Sequence, residues 1–226
     1  MEKKRKKPGL TAYIIVGICL VSVAYLGRGF YYHAKTIHEL LAENKHLKQA
    51  ITNLTREEQI GYAKVISQQT IDEKLLTTIK FVETARDDKL KKILEKEYTI
   101  EGDIIHFDAL IVKFGNKMVM DGTSRALYLW RRVYGEKMTP ENGFIIEQPG
   151  NEPQRYSELL KALPIKQSQM FWSNIWDLAN DTKKLKEYDI EAVYGNAIYS
   201  RLRKGLIYVF KISSTGQVYP ETVPDM

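Results

Sequence analysis

His106 and Asp108 stand two apart in the stretch DIIHFDALIVKF, so on a β-strand their side chains share one face. An imidazole beside a carboxylate is the start of an acid–base pair or a metal site, but either chemistry needs a third group that the sequence does not place. A structural pair satisfied by its neighbours is the favoured reading. His33, His38 and His46 are spaced by five and eight residues, which scatters them around a helix, and the HExxH pattern is absent. GxSxG, SxxK, phosphate-loop and dinucleotide patterns are missing too. Cys19 is the single cysteine, and it lies in an apolar run, so the rest of the chain has no thiol nucleophile and no disulfide. The sequence therefore assigns no catalytic residue, cofactor or metal.

Two further sets of residues have types suited to binding. Arg131 and Arg132, with Arg201, Arg203 and Lys204, form two basic clusters flanked by Trp130, Tyr134 and Tyr199. Guanidinium groups among aromatic rings suit an acidic partner surface or an anionic polymer. The same charges also discourage edge-to-edge pairing of strands. The other set is a heptad seam, with Ile37 and Ile51 at a positions, Leu40, Leu47 and Leu54 at d, and Asn44 at the intervening a. Ile at a with Leu at d favours a parallel two-stranded coiled coil, and a buried Asn at a pairs only with its own copy, which penalises other registers. The seam predicts self-association as a parallel dimer; a heterologous helix, or packing onto the chain's own domain, are the other readings of the same stripe.

The elements that carry these residues follow from charge and hydropathy patterning. Residues 1–8 hold Lys3, Lys4, Arg5, Lys6 and Lys7 against Glu2, so +4 of the formal +6 lies in this tail and only +2 in the other 218 residues. That distribution excludes nucleic acid as the expected partner, since a groove binder concentrates charge on its folded part. From Leu10 to Leu26 no residue is charged, which predicts a membrane anchor over residues 9–28, the N-terminus staying in the cytoplasm beside its lysines. Ser22-Val23-Ala24 offers the alternative of a signal peptide cleaved after Ala24. A cysteine-free exported part suits a bacterial inner-membrane protein whose C-terminal domain is periplasmic or extracellular.

Residues 29–60 read as a helical stalk, about 42 Å long if helical from His33 to Ile60, ending at Gly61. Residues 61–226 read as an α+β domain, mainly antiparallel and either barrel-like or sandwich-like. Short apolar runs rich in Ile, Val, Tyr and Phe predict strands as far as Tyr134, with a hairpin turn at Phe114-Gly115-Asn116-Lys117 and a strand at 117–120. Two inserted helices are expected, at Ser157–Leu163 and Ser168–Glu187, with Trp172, Ile175, Trp176 and Ala179 on the core-facing stripe of the second. Strands resume over IEAVYGNAIYS, GLIYVFKIS and QVYPETV.

In its order of parts, basic tail, span, short coiled coil and β-rich exported domain, the chain resembles the rod-shape-determining MreC proteins. Tyr62-Ala63-Lys64-Val65-Ile66 entering the first strand adds to the likeness. The tail, span and zipper are also similar to the small bitopic division proteins of the FtsB type. The resemblance lies in architecture and carries no site residues over. These features together lead to the expectation of a non-enzymatic envelope scaffold that binds itself and other envelope proteins; an anchored or secreted enzyme acting on a cell-wall or surface polymer is the alternative.

Overall fold

Alternation of buried and exposed side chains sets the architecture of this domain. The computed structural model describes residues 39–148, 153–156, 181–187 and 190–225, with Gly17, Ser22, Val23, Tyr25, Trp172 and Ile175 individually. The chain divides into two units, Met1–Lys48 and Gln49–Met226, and the sheets belong to the second. Helix α1 covers residues 39–55. Ile37 and most of the expected anchor at 9–28 lie outside the described residues, and among the described residues no helix is long and apolar enough to cross a membrane.

Among the described residues nine strands follow, in two antiparallel sheets. β1 (Glu57–Ile71), β2 (Lys74–Thr84), β3 (Lys92–Glu101), β8 (Leu206–Ser213) and β9 (Val218–Pro224) form sheet A in the order β3-β2-β1-β8-β9. β4 (Ile104–Phe114), β5 (Leu127–Gly135), β6 (Phe144–Ile145) and β7 (Ile190–Arg201) form sheet B in the order β6-β5-β4-β7. The chain crosses from A to B after β3 and returns after β7, so β8 lands beside β1. The domain is thus mainly antiparallel β, with short helices α2 (Asn116–Met120) and α3 (Thr182–Glu187).

One core fills the space between the sheets. Ile79, Phe81, Ile105, Phe107, Ile111, Tyr128, Trp130, Val133 and Phe210 belong to it. Phe81 meets Trp130 edge-on at 5.3 Å, and Phe107 lies 4.7 Å from Phe210, contacts that add to simple area burial. A second core covers one half of sheet B's other face, where Leu110, Val112, Phe114 and Leu129 pack with Tyr156, Trp172, Ile175 and Leu185. Double coverage explains why DALIVKF is apolar almost throughout rather than at alternate positions.

Four expectations are corrected. Gly61 does not end the stalk: α1 stops at residue 55, and Gly61 lies within β1, paired with Glu83 and Phe210. A Cβ there would stand 2.5 Å from the Val82 carbonyl oxygen, so glycine is required by close backbone approach rather than by a helix terminus. Residues 114–117 do not form a hairpin. The chain winds into α2, with Met118 and Val119 N–H donating to the Gly115 carbonyl, and Val119 is buried by that turn. The single helix expected over 168–187 is interrupted at Asp181, whose carboxylate accepts from the Lys183 and Lys184 N–H groups and caps α3 afresh. Ser157–Leu163 lies outside the described residues. Trp130, expected on a partner surface, is fully buried.

Candidate functional site

The burial of Trp130 and the exposure of its neighbours have one cause, a bulge in β5. Opposite β4, Asp108 pairs with Arg132 and Ala109 with Trp130, so Arg131 is the extra residue. The inward series Tyr128, Trp130, Val133 therefore spans a gap of three, and Arg131 and Arg132 both emerge on the outer face of sheet B. In a regular strand adjacent residues point oppositely; the bulge re-aims one of them.

Both arginines reach the same carboxylate. Arg131 Nε lies 3.3 Å from Asp108 Oδ2, and Arg132 Nε lies 3.6 Å from the same oxygen. Burial pushes the Asp108 carboxyl above its ordinary value, and the two guanidinium groups pull it back. Arg132 also donates to the Pro140 carbonyl at 2.6 Å. A Cβ added at Gly195 on β7 would stand 3.3 Å from an Arg131 nitrogen, so the absence of a side chain there leaves room for the guanidinium.

Next along the same face, three rings cross three strands in register. His106 opposes Tyr134 on β5 and Tyr199 on β7. Its ring stacks on Tyr134 at 4.8 Å and 7°, and lies 6.2 Å from Tyr199, which is 73% exposed. Arg201 lies at the end of β7 and pairs with Asp103 at 3.6 Å.

Of the residues expected to form a partner surface, Arg131, Arg132 and Arg201 are carried by this half of sheet B, together with Tyr134 and Tyr199. Arg203 and Lys204 are exposed in the β7–β8 connection rather than on the sheet, and the Arg203 N–H donates to the Tyr208 hydroxyl. His106 and Asp108 do share a face, but the imidazole is engaged with tyrosine rings and the carboxylate with arginines. Among the described residues no group of three His, Cys, Asp or Glu side chains could hold a metal. Of the heptad seam, Leu40, Leu47 and Ile51 are 59%, 50% and 59% exposed, Asn44 is exposed and Leu54 is half-buried.

A buried ionic network escaped sequence reasoning. Arg155, from the turn Gln154–Tyr156, donates to Glu83 on β2 at 2.8 Å, to both Glu147 oxygens at 2.6 and 2.7 Å, and to the Tyr128 carbonyl at 3.0 Å. Its guanidinium also lies 4.6 Å from the centre of the Tyr128 ring. Glu147 accepts from the Trp130 N–H, and the Tyr156 hydroxyl both accepts from the Tyr128 N–H and donates to its carbonyl. These three side chains complete the free edge of β5 where the two-residue β6 stops. Glu83 in the strand KLLTTIKFVET was the available signal, a carboxylate at an inward position, but its partner lies 72 residues away.

The fold and this cluster define a two-sheet antiparallel β domain with an aromatic and arginine-bearing outer face. No protein family, curated protein or solved structure matches the chain.

Proposed function

We propose that the chain is a non-enzymatic, single-pass envelope scaffold that associates with its own copy through α1 and engages other envelope proteins through the outer face of sheet B. The single observation that supports it best is the bulge-built cluster of Arg131, Arg132, His106, Tyr134 and Tyr199. Arg and Tyr are the residue types that dominate interface energetics, and here they are fixed in place by Asp108 and by ring stacking before any partner arrives. The anchor and its orientation rest on the basic tail and the uncharged run of residues 10–26. The exposed Leu40, Leu47 and Ile51 support pairing of the helices.

The test is crosslinking of the tagged full-length chain in intact cells, followed by membrane extraction and identification of what co-purifies. Arg131→Gln, which leaves Arg132 on Asp108, and Tyr199→Ala change only half-exposed or exposed side chains, so the protein should accumulate normally, while recovery of its envelope partners falls at least about tenfold, as for loss of a strong contact residue. Unchanged recovery with both variants would remove sheet B from the reading.

A further inference from the structure

The junction between α1 and the sheets carries a second concentration of positive charge, separate from the sheet-B cluster. A polar cleft of about 160 Å³ is lined by Asn53, Arg56, Val119, Gly122, Arg125 and Ser214. Three segments of the chain meet there: the end of α1, the turn after α2, and the β8–β9 turn. Their backbone groups are already engaged. Ser214 N–H donates to the Arg56 carbonyl at 2.9 Å, the Asn53 amide donates to the Met120 carbonyl at 2.8 Å, and Gly122 N–H donates to Val119. Gly122 has φ 71, and a Cβ there would stand 3.0 Å from the Asn53 amide, so glycine keeps the turn close against the helix.

The side-chain charges do not balance. Glu58 gives one oxygen to Arg86 at 2.5 Å and the other to Arg125, so its carboxylate is shared between two guanidinium groups. Arg56 makes no ion pair among the described residues and lines the same cleft as Arg125. A neutralising role toward the carbonyls at the end of α1 suits one cation at that terminus. It does not account for a second guanidinium group, that of Arg125, lining the same cleft.

We propose that this cleft binds a phosphate group, as free phosphate or as a phosphate monoester. Two guanidinium groups from different segments suit a tetrahedral oxyanion, whose charge and outward-pointing oxygens allow each arginine its own hydrogen bonds. The bound anion bridges Arg56 at the foot of α1 to Arg125 after α2, and so fastens the last turn of the helix to the domain. This site is independent of the partner surface on sheet B.

The experiment titrates the purified full-length chain, in detergent, with inorganic phosphate, glycerol phosphate, acetate and chloride at matched ionic strength, following the thermal midpoint. Inorganic phosphate at 10 mM should raise it by about 3–6 °C, as for occupancy with a dissociation constant near 1 mM. Arg56→Gln, which changes an exposed side chain with no ion pair among the described residues, should leave the midpoint in chloride unchanged and abolish the rise. An equal rise with glycerol phosphate assigns the site to monoesters, and a rise with inorganic phosphate alone assigns it to the free ion. A rise no larger than that in chloride or acetate, or one that Arg56→Gln retains, would overturn the proposal.

Discussion

Glu83 is 1% exposed, and it faces Arg155 and the Tyr128 hydroxyl with Glu147 nearby. Burial pushes its carboxyl up to about 7 even though Arg155 and the hydroxyl pull it down, and Glu147 adds to the upward push. In the unfolded chain the same group titrates near 4.5, so the folded state binds its proton more tightly. Its contribution to stability is therefore complete below about pH 4.5 and is lost as the pH rises through about 7. At about 1.4 kcal/mol per pH unit, the loss is about 3 kcal/mol. Glu83→Gln carries no titrating proton, so its stability relative to the unsubstituted chain should rise by about 3 kcal/mol between pH 4.5 and 8, read from urea denaturation across that range. The comparison cancels surface carboxylates such as Glu95, which Lys80 and Lys92 hold down at about 2. A difference that stays flat with pH would show that Glu83 titrates like an exposed glutamate.

At the scale of elements, α1 and β5 depart from regular patterns in opposite ways. Asn44 interrupts an apolar seam, and Arg131 interrupts an alternation. The seam residues Leu40, Leu47 and Ile51 have no cover within the described residues, and burying one leucine is worth about 1.5–3 kcal/mol. Leu47→Asp should accordingly weaken self-association of the full chain by about tenfold or more in sedimentation equilibrium. Asn44→Val should strengthen association while admitting species other than the parallel dimer. If neither substitution alters the distribution, α1 is not the contact between copies. The interruption in β5 was not read from YLWRRVY, where Trp130 was placed beside the arginines; it follows from the pairing with β4, which sets Trp130 and Val133 on the same side. What the pattern did not show was which side faced the core, since Trp130 between charged and aromatic neighbours reads equally well as an exposed anchor.

Across the whole molecule, the two cores on either face of sheet B are tied together by the segment ending at Tyr156. That hydroxyl is buried and bonded twice to the Tyr128 backbone, at 2.8 and 2.9 Å, while its ring stacks on Trp172. Tyr156→Phe keeps the ring and leaves a buried N–H without its acceptor, which should cost about 1–3 kcal/mol in chemical denaturation. A loss below about 0.5 kcal/mol would mean that water or another group replaces the hydroxyl. The sequence by itself determined the strand-rich class, the approximate extent of most strands, the helical stripe from Leu40 to Leu54 and the core role of Trp172, because side-chain period and turn residues are local properties. Only the tertiary structure decided that β8 returns beside β1, that α2 replaces a hairpin, that Gly61 lies under Val82, and that Arg131 and Arg132 share Asp108. It also brought Glu83 to Arg155. Each of these depends on contacts between segments distant in the chain, and local periodicity records which face a residue prefers but not which partner waits across it.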